Sequence, residues 1–272
     1  MTCLAYLPDR GVIVVSGPDR VVFLQGLVSN DIELVAPGRA IWAALLSPKG
    51  KWLADFFILA DGEQLLLECE RAQIAMLVSR LSRYRLRAQV TVADVSSGWA
   101  VHAAWGGAPT QGGLIAADPR LPEAGWRVLA AVPLPGNASA EDWDRHRLFL
   151  GLPDGSRDLE TDKTLLLEAG FDELAGVSWT KGCYMGQELT ARTKYRGLIK
   201  RRLVPVLVEG DLPAPGTPVT RAGVEVGILR SGRDGRALAT LRVEAMGWEL
   251  ACGDARLTAE RPGWMRLAEP AA

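Results

Sequence analysis

Beyond Gly197 the chain carries a period of two. Val204, Val206 and Val208 alternate with other residues, as do Val224, Val226 and Ile228, with proline and glycine between the runs. Such a period puts every second side chain on one face of a strand, and that face needs another sheet to cover it. Short strands with no helix to cover them close into a small barrel or sandwich. The expected organisation is therefore α+β: a mixed region over residues 1–197, then an all-β barrel domain over 198–272.

The mixed region reads as strands joined by short turns, with a few helices. Residues 19–27 carry apolar side chains at helical spacing and stop near Gly26. Residues 40–46 and 52–59 flank Ser-Pro-Lys-Gly-Lys, which supplies the turn of a hairpin. A second turn at Asp61-Gly62 leads into residues 64–69, making an antiparallel meander. Ile74, Leu77, Val78 and Leu81 mark one face of a helix over 71–84. Residues 87–95 alternate as a strand, and short strands follow to Val132, broken at Gly106-Gly107 and Asp118-Pro119. Ser139 and Asp142 have capping-box spacing and open a helix that runs to Leu150. Residues 151–170 lack periodicity and read as a partly extended connection. A further helix is expected after Gly186.

Composition narrows the function classes. The formal net charge of the 272 residues is −1, so no global field draws nucleic acid or an anionic membrane. No run approaches the roughly 20 apolar residues that span a bilayer. Pro8, Asp9 and Arg10 precede the first apolar run, which does not resemble a secretory signal. A cytoplasmic protein is expected. Cys3, Cys69, Cys183 and Cys252 are scattered with no CxxC pair, so free thiols are expected and no self-contained metal site.

The densest cluster of chemistry-bearing residues is Lys181-Gly182-Cys183-Tyr184-Met185-Gly186-Gln187-Glu188. A helix start and a nearby lysine both favour a thiolate at Cys183. The same pattern also suits a buried structural cysteine beside a glycine turn. His102 and His146 lie in no motif, so a Cys–His dyad has little support. One thiolate is too few ligands for a metal, but it could be one ligand of a transient cluster completed by a partner protein.

Lys-Gly-Cys-Tyr-x-Gly-Gln-Glu is the signature of the YgfZ family of folate-binding, iron–sulfur-related proteins, and this chain resembles that family at every fixed position of it. The resemblance extends to Phe23-Leu24-Gln25-Gly26 with Asn30-Asp31, to Ser47-Pro48-Lys49-Gly50-Lys51 running into Asp55, and to Gly176 through Lys181. It implies the three-lobed fold of the related glycine-cleavage T protein: lobes around a central folate channel, with a C-terminal all-β barrel. It also implies a tetrahydrofolate-binding accessory protein for assembly or repair of iron–sulfur proteins, with Cys183 as the functional, catalytic-type thiol and those proteins as partners. The folate contacts expected from the resemblance are Asp55, Asn30, Tyr84, Phe149, Trp179 and Lys181. The T protein holds the pterin with a carboxylate where this chain has Phe149, and has two adjacent acids where this chain has Ala54-Asp55. These departures count against the alternative, a folate-dependent aminomethyl or one-carbon transferase. A scaffold that binds client proteins through its surface stays open.

Overall fold

In the computed structural model, which describes residues 1–197 and 199–267, the chain begins with two short strands that part company at once. β1 (Cys3–Tyr6) and β2 (Arg10–Ser16) are joined at Pro8-Asp9 but enter different sheets. After α1 (Arg20–Gln25) comes the expected meander, β3 (Ile41–Leu46), β4 (Trp52–Asp61) and β5 (Gln64–Glu70). The amphipathic α2 (Ile74–Tyr84) follows, burying Ile74, Leu77 and Leu81. β6 (Thr91–Asp94) is shorter than the alternation over 87–95 suggested, because only residues 91–94 pair with β2. These strands make a five-stranded sheet in the order β3-β4-β5-β2-β6. The second lobe is a four-stranded sheet, in which β7 (Ala100–Trp105), β8 (Leu114–Ala117) and β9 (Trp126–Ala130) join β1 in the order β1-β7-β9-β8.

Helix α3 (Ala140–Leu150) begins at a complete capping box: Ser139 accepts from the Asp142 N–H, and the Asp142 carboxylate accepts from the Ser139 N–H. Helix α4 (Gln187–Arg196) closes the mixed region. The tail forms a barrel rather than a sandwich. β10 (Arg201–Glu209), β11 (Pro218–Arg221), β12 (Val224–Arg233), β13 (Arg236–Arg242), β14 (Leu250–Cys252) and β15 (Ala255–Ala259) close in the order β10-β13-β12-β11-β14-β15. Its interior is lined by Val204, Val206, Val208, Val226, Leu229 and Leu257. The expected alternation of Val224, Val226 and Ile228 is broken by a bulge at Val226, so Val224 is exposed and Leu229 turns inward in place of Ile228. The expected domain boundary falls at position 198, which with 268–272 lies outside the described residues.

Alternation along the five-stranded sheet gives it two buried faces. Ile41, Ala43, Phe56 and Ile58 face α1 and α2. Trp42, Trp52, Phe57 and Leu59 face the junction of the three lobes, together with Leu129 from the second sheet, Phe171, and Leu203 and Leu238 from the barrel. This junction positions everything below.

Candidate functional site: a stitched cysteine loop

Two stretches far apart in sequence meet at the segment that holds Cys183. The first, residues 26–30, acts as a cradle. Its Gly26 carbonyl accepts from the Met185 N–H at 3.1 Å, and the Ser29 carbonyl accepts from the Ser178 N–H at 3.0 Å. Ser29 Oγ donates to the Gly176 carbonyl at 2.6 Å, and Asn30 Nδ2 donates to the Ala175 carbonyl at 2.8 Å. Lys181 completes the seam: its ammonium donates to the Val28 and Asn30 carbonyls at 2.8 and 2.7 Å. The cradle is itself tied to the edge strand β3, where Ser29 N–H donates to the Ala44 carbonyl and Asn30 Nδ2 to the Trp42 carbonyl.

The second stretch is the hairpin turn between β3 and β4. Gly186, at φ +82°, packs so closely on this turn that a Cβ there would lie 2.7 Å from the Ser47 carbonyl oxygen and 3.0 Å from Gly50 Cα. Gly50, at φ +75°, meets Leu189 of α4 in the same way. Both positions exclude a side chain on two counts, backbone sign and space. Within the loop, Tyr184 is buried in the lobe junction, and its N–H donates to Gln187 Oε1 at 3.1 Å.

Pinned on both sides, the loop leaves its middle in solvent. Gly182 and Cys183 are exposed, whereas Cys69 and Cys252 are buried and Cys3 is intermediate. The reading of Cys183 as a buried sulfur is therefore excluded. Lys181 has a different role from the one expected, since its ammonium is committed to two carbonyls and works as a clamp. Burial lowers its pKa to about 8, against the pull of Asp31. Glu188 is exposed on the first turn of α4. Beyond it Arg192, Lys194, Tyr195 and Arg196 are exposed along the helix.

The six expected folate residues do not form one pocket. Asp55 is buried at the lobe junction, where its carboxylate accepts from the indole N–H groups of Trp42 at 2.9 Å and Trp52 at 3.1 Å. Asn30, Trp179 and Lys181 belong to the cysteine loop and its cradle. There the Trp179 indole donates to Asp172 at 2.7 Å, and Lys194 lies over the Trp179 ring. Tyr84 packs on the opposite face of the five-stranded sheet from Asp55, because α2 covers that face. Phe149 is 63% exposed, since helical spacing turns it outward while Leu148 goes in, and Arg236 lies over its ring. Tyr84 and Phe149 thus lie apart from Asp55. Arg83, Arg85 and Arg87 are exposed, as a solvated helix end would have them. His102 accepts from the Leu134 N–H, and His146 stacks on Trp105, so both are engaged structurally.

Asp55 faces an inner cavity of about 80 Å³ lined also by Arg10, Arg120, Arg127 and Trp143. Arg10, Asp144, Asp154 and Arg157 also line a neighbouring open cleft of about 670 Å³, which does not reach Asp55. An apolar cavity of about 150 Å³ is what it takes to hold benzene. The inner cavity alone is smaller than that. The arginines and their acids, which carry that result, were missed in the sequence; the signal available was a charge inside an apolar run, Glu68 after Leu65-Leu66-Leu67 and Arg127 before Val128-Leu129.

Comparison with known proteins agrees with this architecture. Residues 200–267 match the CAF17 C-terminal β-barrel domain. The aminomethyltransferase T of the glycine cleavage system from Bartonella henselae has a TM-score of 0.76 to this chain at 17% identity, covering 97% of this chain and 86% of that one. That likeness bears out the expected α+β T-protein-like fold with a terminal barrel. The chain is 35% identical over 282 residues to the Mus musculus protein named iron-sulfur cluster assembly factor IBA57, mitochondrial, covering 90% of this chain and 78% of the relative. The Homo sapiens protein of that name is 36% identical over 270 residues, covering 86% and 76%. A Mycosarcoma maydis homologue is 36% identical over 227 residues, 75% of this chain, which spans 56% of that relative's length. These relatives are mitochondrial by name, which overturns the expectation of a cytoplasmic protein; composition does not distinguish one aqueous compartment from another. The chain belongs to the family of IBA57-type iron–sulfur cluster assembly factors.

Proposed function

We propose that this chain assists the assembly of iron–sulfur proteins by presenting Cys183 as a ligand to iron–sulfur cargo held jointly with a partner. The observation that carries the reading is the contrast within one loop: an exposed thiol on a backbone stitched to residues 26–30 and packed on the hairpin turn. Thiolates are the usual ligands of iron–sulfur clusters, and four are commonly needed. A single cysteine therefore requires a second protein to complete the set. Among the described residues no group of three or more His, Cys, Asp or Glu side chains could hold a metal ion alone. The motif held in common with the YgfZ type and the names of the relatives support the same reading. The partners are iron–sulfur client or assembly proteins.

Tetrahydrofolate, which the sequence resemblance implies, has no part in this proposal, because the Asp55 carboxylate is already engaged by two indole N–H groups. A one-carbon transferase is likewise left out of the proposal.

The test is Cys183→Ser. This change alters little volume at an exposed position, so thermal and urea unfolding should stay within about 0.5 kcal/mol of the wild type. The variant should nevertheless fail to restore iron–sulfur enzyme activity in cells lacking the protein. Alkylation at neutral pH, mapped by mass spectrometry, should label Cys183 before Cys69 and Cys252. Full rescue by the serine variant would sink the proposal.

A further inference from the structure

We infer that the central cavity of this chain is closed to folate by its own arginines, which occupy the places a pterin would take. Three kinds of group would receive such a ligand: an aromatic face to stack on, an acid to accept from the pterin edge, and cations for the glutamate tail. Each already has an internal partner. The Phe57 ring lies against two guanidiniums, Arg127 at 4.7 Å and Arg120 at 4.8 Å. Arg127 also covers Trp143 at 5.7 Å, and Arg120 covers Trp42 at 5.5 Å, while Phe171 stacks on Trp42 at 3.9 Å. A guanidinium is planar and delocalised, and it stacks on an aromatic ring as a heterocycle does.

The acid and the cations are committed too. Each oxygen of Asp55 accepts from a different indole. Arg127 holds Glu68 with two bonds, at 2.7 and 2.6 Å, and Arg10 adds a third at 2.5 Å. Arg120 makes a two-bond pair with Asp118 and donates to the Pro153 carbonyl. The side chains of Glu68 and Asp118 are fully buried, and those of Arg10, Arg120 and Arg127 are at most 9% exposed. Admitting a pterin would pull an arginine off a buried acid and leave that charge uncompensated. Breaking such a pair costs an amount equivalent to roughly a hundred- to several-thousand-fold in affinity. Arg10 is the distinctive member: it begins β2 at the turn where the chain passes between sheets, holds Glu68, and stands between the inner cavity and the outer cleft, lining both.

This inference does not depend on the role of Cys183. The experiment is a titration of the wild-type protein with tetrahydrofolate under anaerobic conditions, followed by calorimetry and by tryptophan fluorescence. Trp42, Trp52 and Trp143 report on the cavity. No saturable signal up to about 1 mM is expected, the range below which binding would be worth more than about 4 kcal/mol. Saturable binding that Asp55→Asn or Arg127→Lys weakens tenfold or more would overturn the inference. Saturable binding indifferent to both substitutions would place the ligand outside the cavity and leave the inference standing. Should those variants not fold, hydrogen exchange on the wild type decides the matter: ligand-dependent protection of β2, β4 and α3 would count against a closed cavity.

Discussion

Lys181 and Asp55 are both buried ionisable groups, but their effects on stability run in different pH windows. Burial brings the Lys181 ammonium down to about 8 from 10.5. The unfolded chain then holds a proton that the folded chain has released, so stability should rise with pH between about 8 and 10.5. Lys181→Met should lack that rise. It should also lose two donors to buried-side carbonyls, destabilise the protein by about 1–3 kcal/mol, and speed proteolysis within residues 175–185. Asp55 behaves in the reverse sense. Burial pushes its carboxyl up from 3.8 to about 6, against Arg10 and the Trp42 indole. Here the folded chain keeps the proton, so stability should fall as pH rises from 3.8 to about 6 and stay level above, by about 1.4 kcal/mol per pH unit within the window. The measurement is the difference in urea stability between wild type and Asp55→Asn across pH 4–7, roughly the range where carboxyls titrate. The difference is needed because Glu68, which burial pushes up but Arg10 and Arg127 pull down further, contributes in the opposite direction.

Single elements were legible in the sequence wherever the signal was local. The Pro-Lys-Gly turn, the heptad-like face of α2, the Ser139–Asp142 spacing and the alternation of Val204, Val206 and Val208 each lie within a dozen residues or so, and each appears as expected; the run from Val224 to Ile228 does not, because β12 bulges there. Ser139→Ala should accordingly cost about 1 kcal/mol through loss of the cap alone, measured by urea unfolding, with the alkylation rate of Cys183 unchanged. What stayed hidden depends on which face an element turns to its neighbour. Tyr84 is close to the arginine-rich helix end and looks like a ligand contact, but α2 lies across the sheet from Asp55. Arg10 and Glu68 are 58 residues apart and Arg127 and Glu68 are 59 apart, so no local period announces their pairing. The motif around Cys183 was legible as a cluster, while its exposure followed from contacts with residues 26–30 and 47–50. Gly186→Ala tests that dependence. A methyl group pressed on the Ser47 carbonyl should cost about 1–3 kcal/mol in urea unfolding and alter the accessibility of Cys183.

At the scale of the whole molecule, ion pairs as well as apolar packing hold the lobes together. Arg147 of α3 is 1% exposed and donates to Asp144 and Asp158 at 2.7 Å each and to Ser231 of the barrel strand β12 at 2.6 Å. Arg202 of β10 reaches back to Glu173 and to the Leu167 carbonyl. Arg147→Met should leave Asp158 buried with only Ser231 and backbone N–H partners and cost about 3–5 kcal/mol, read from urea denaturation followed at both tryptophan emission and far-ultraviolet circular dichroism.

The seam under Cys183 joins residues about 150 positions apart, as Lys181 to Val28 and Asn30 shows. Contacts of such long range form late, after most of the chain has been made and its ends have met. A ribosome-bound or truncated chain ending before residue 175 would contain the cradle without the loop, and an unfolded full-length chain would contain the cysteine without its platform. The posture of the loop around Cys183 thus requires a chain made past residue 186, with residues 26–30 already folded beneath it.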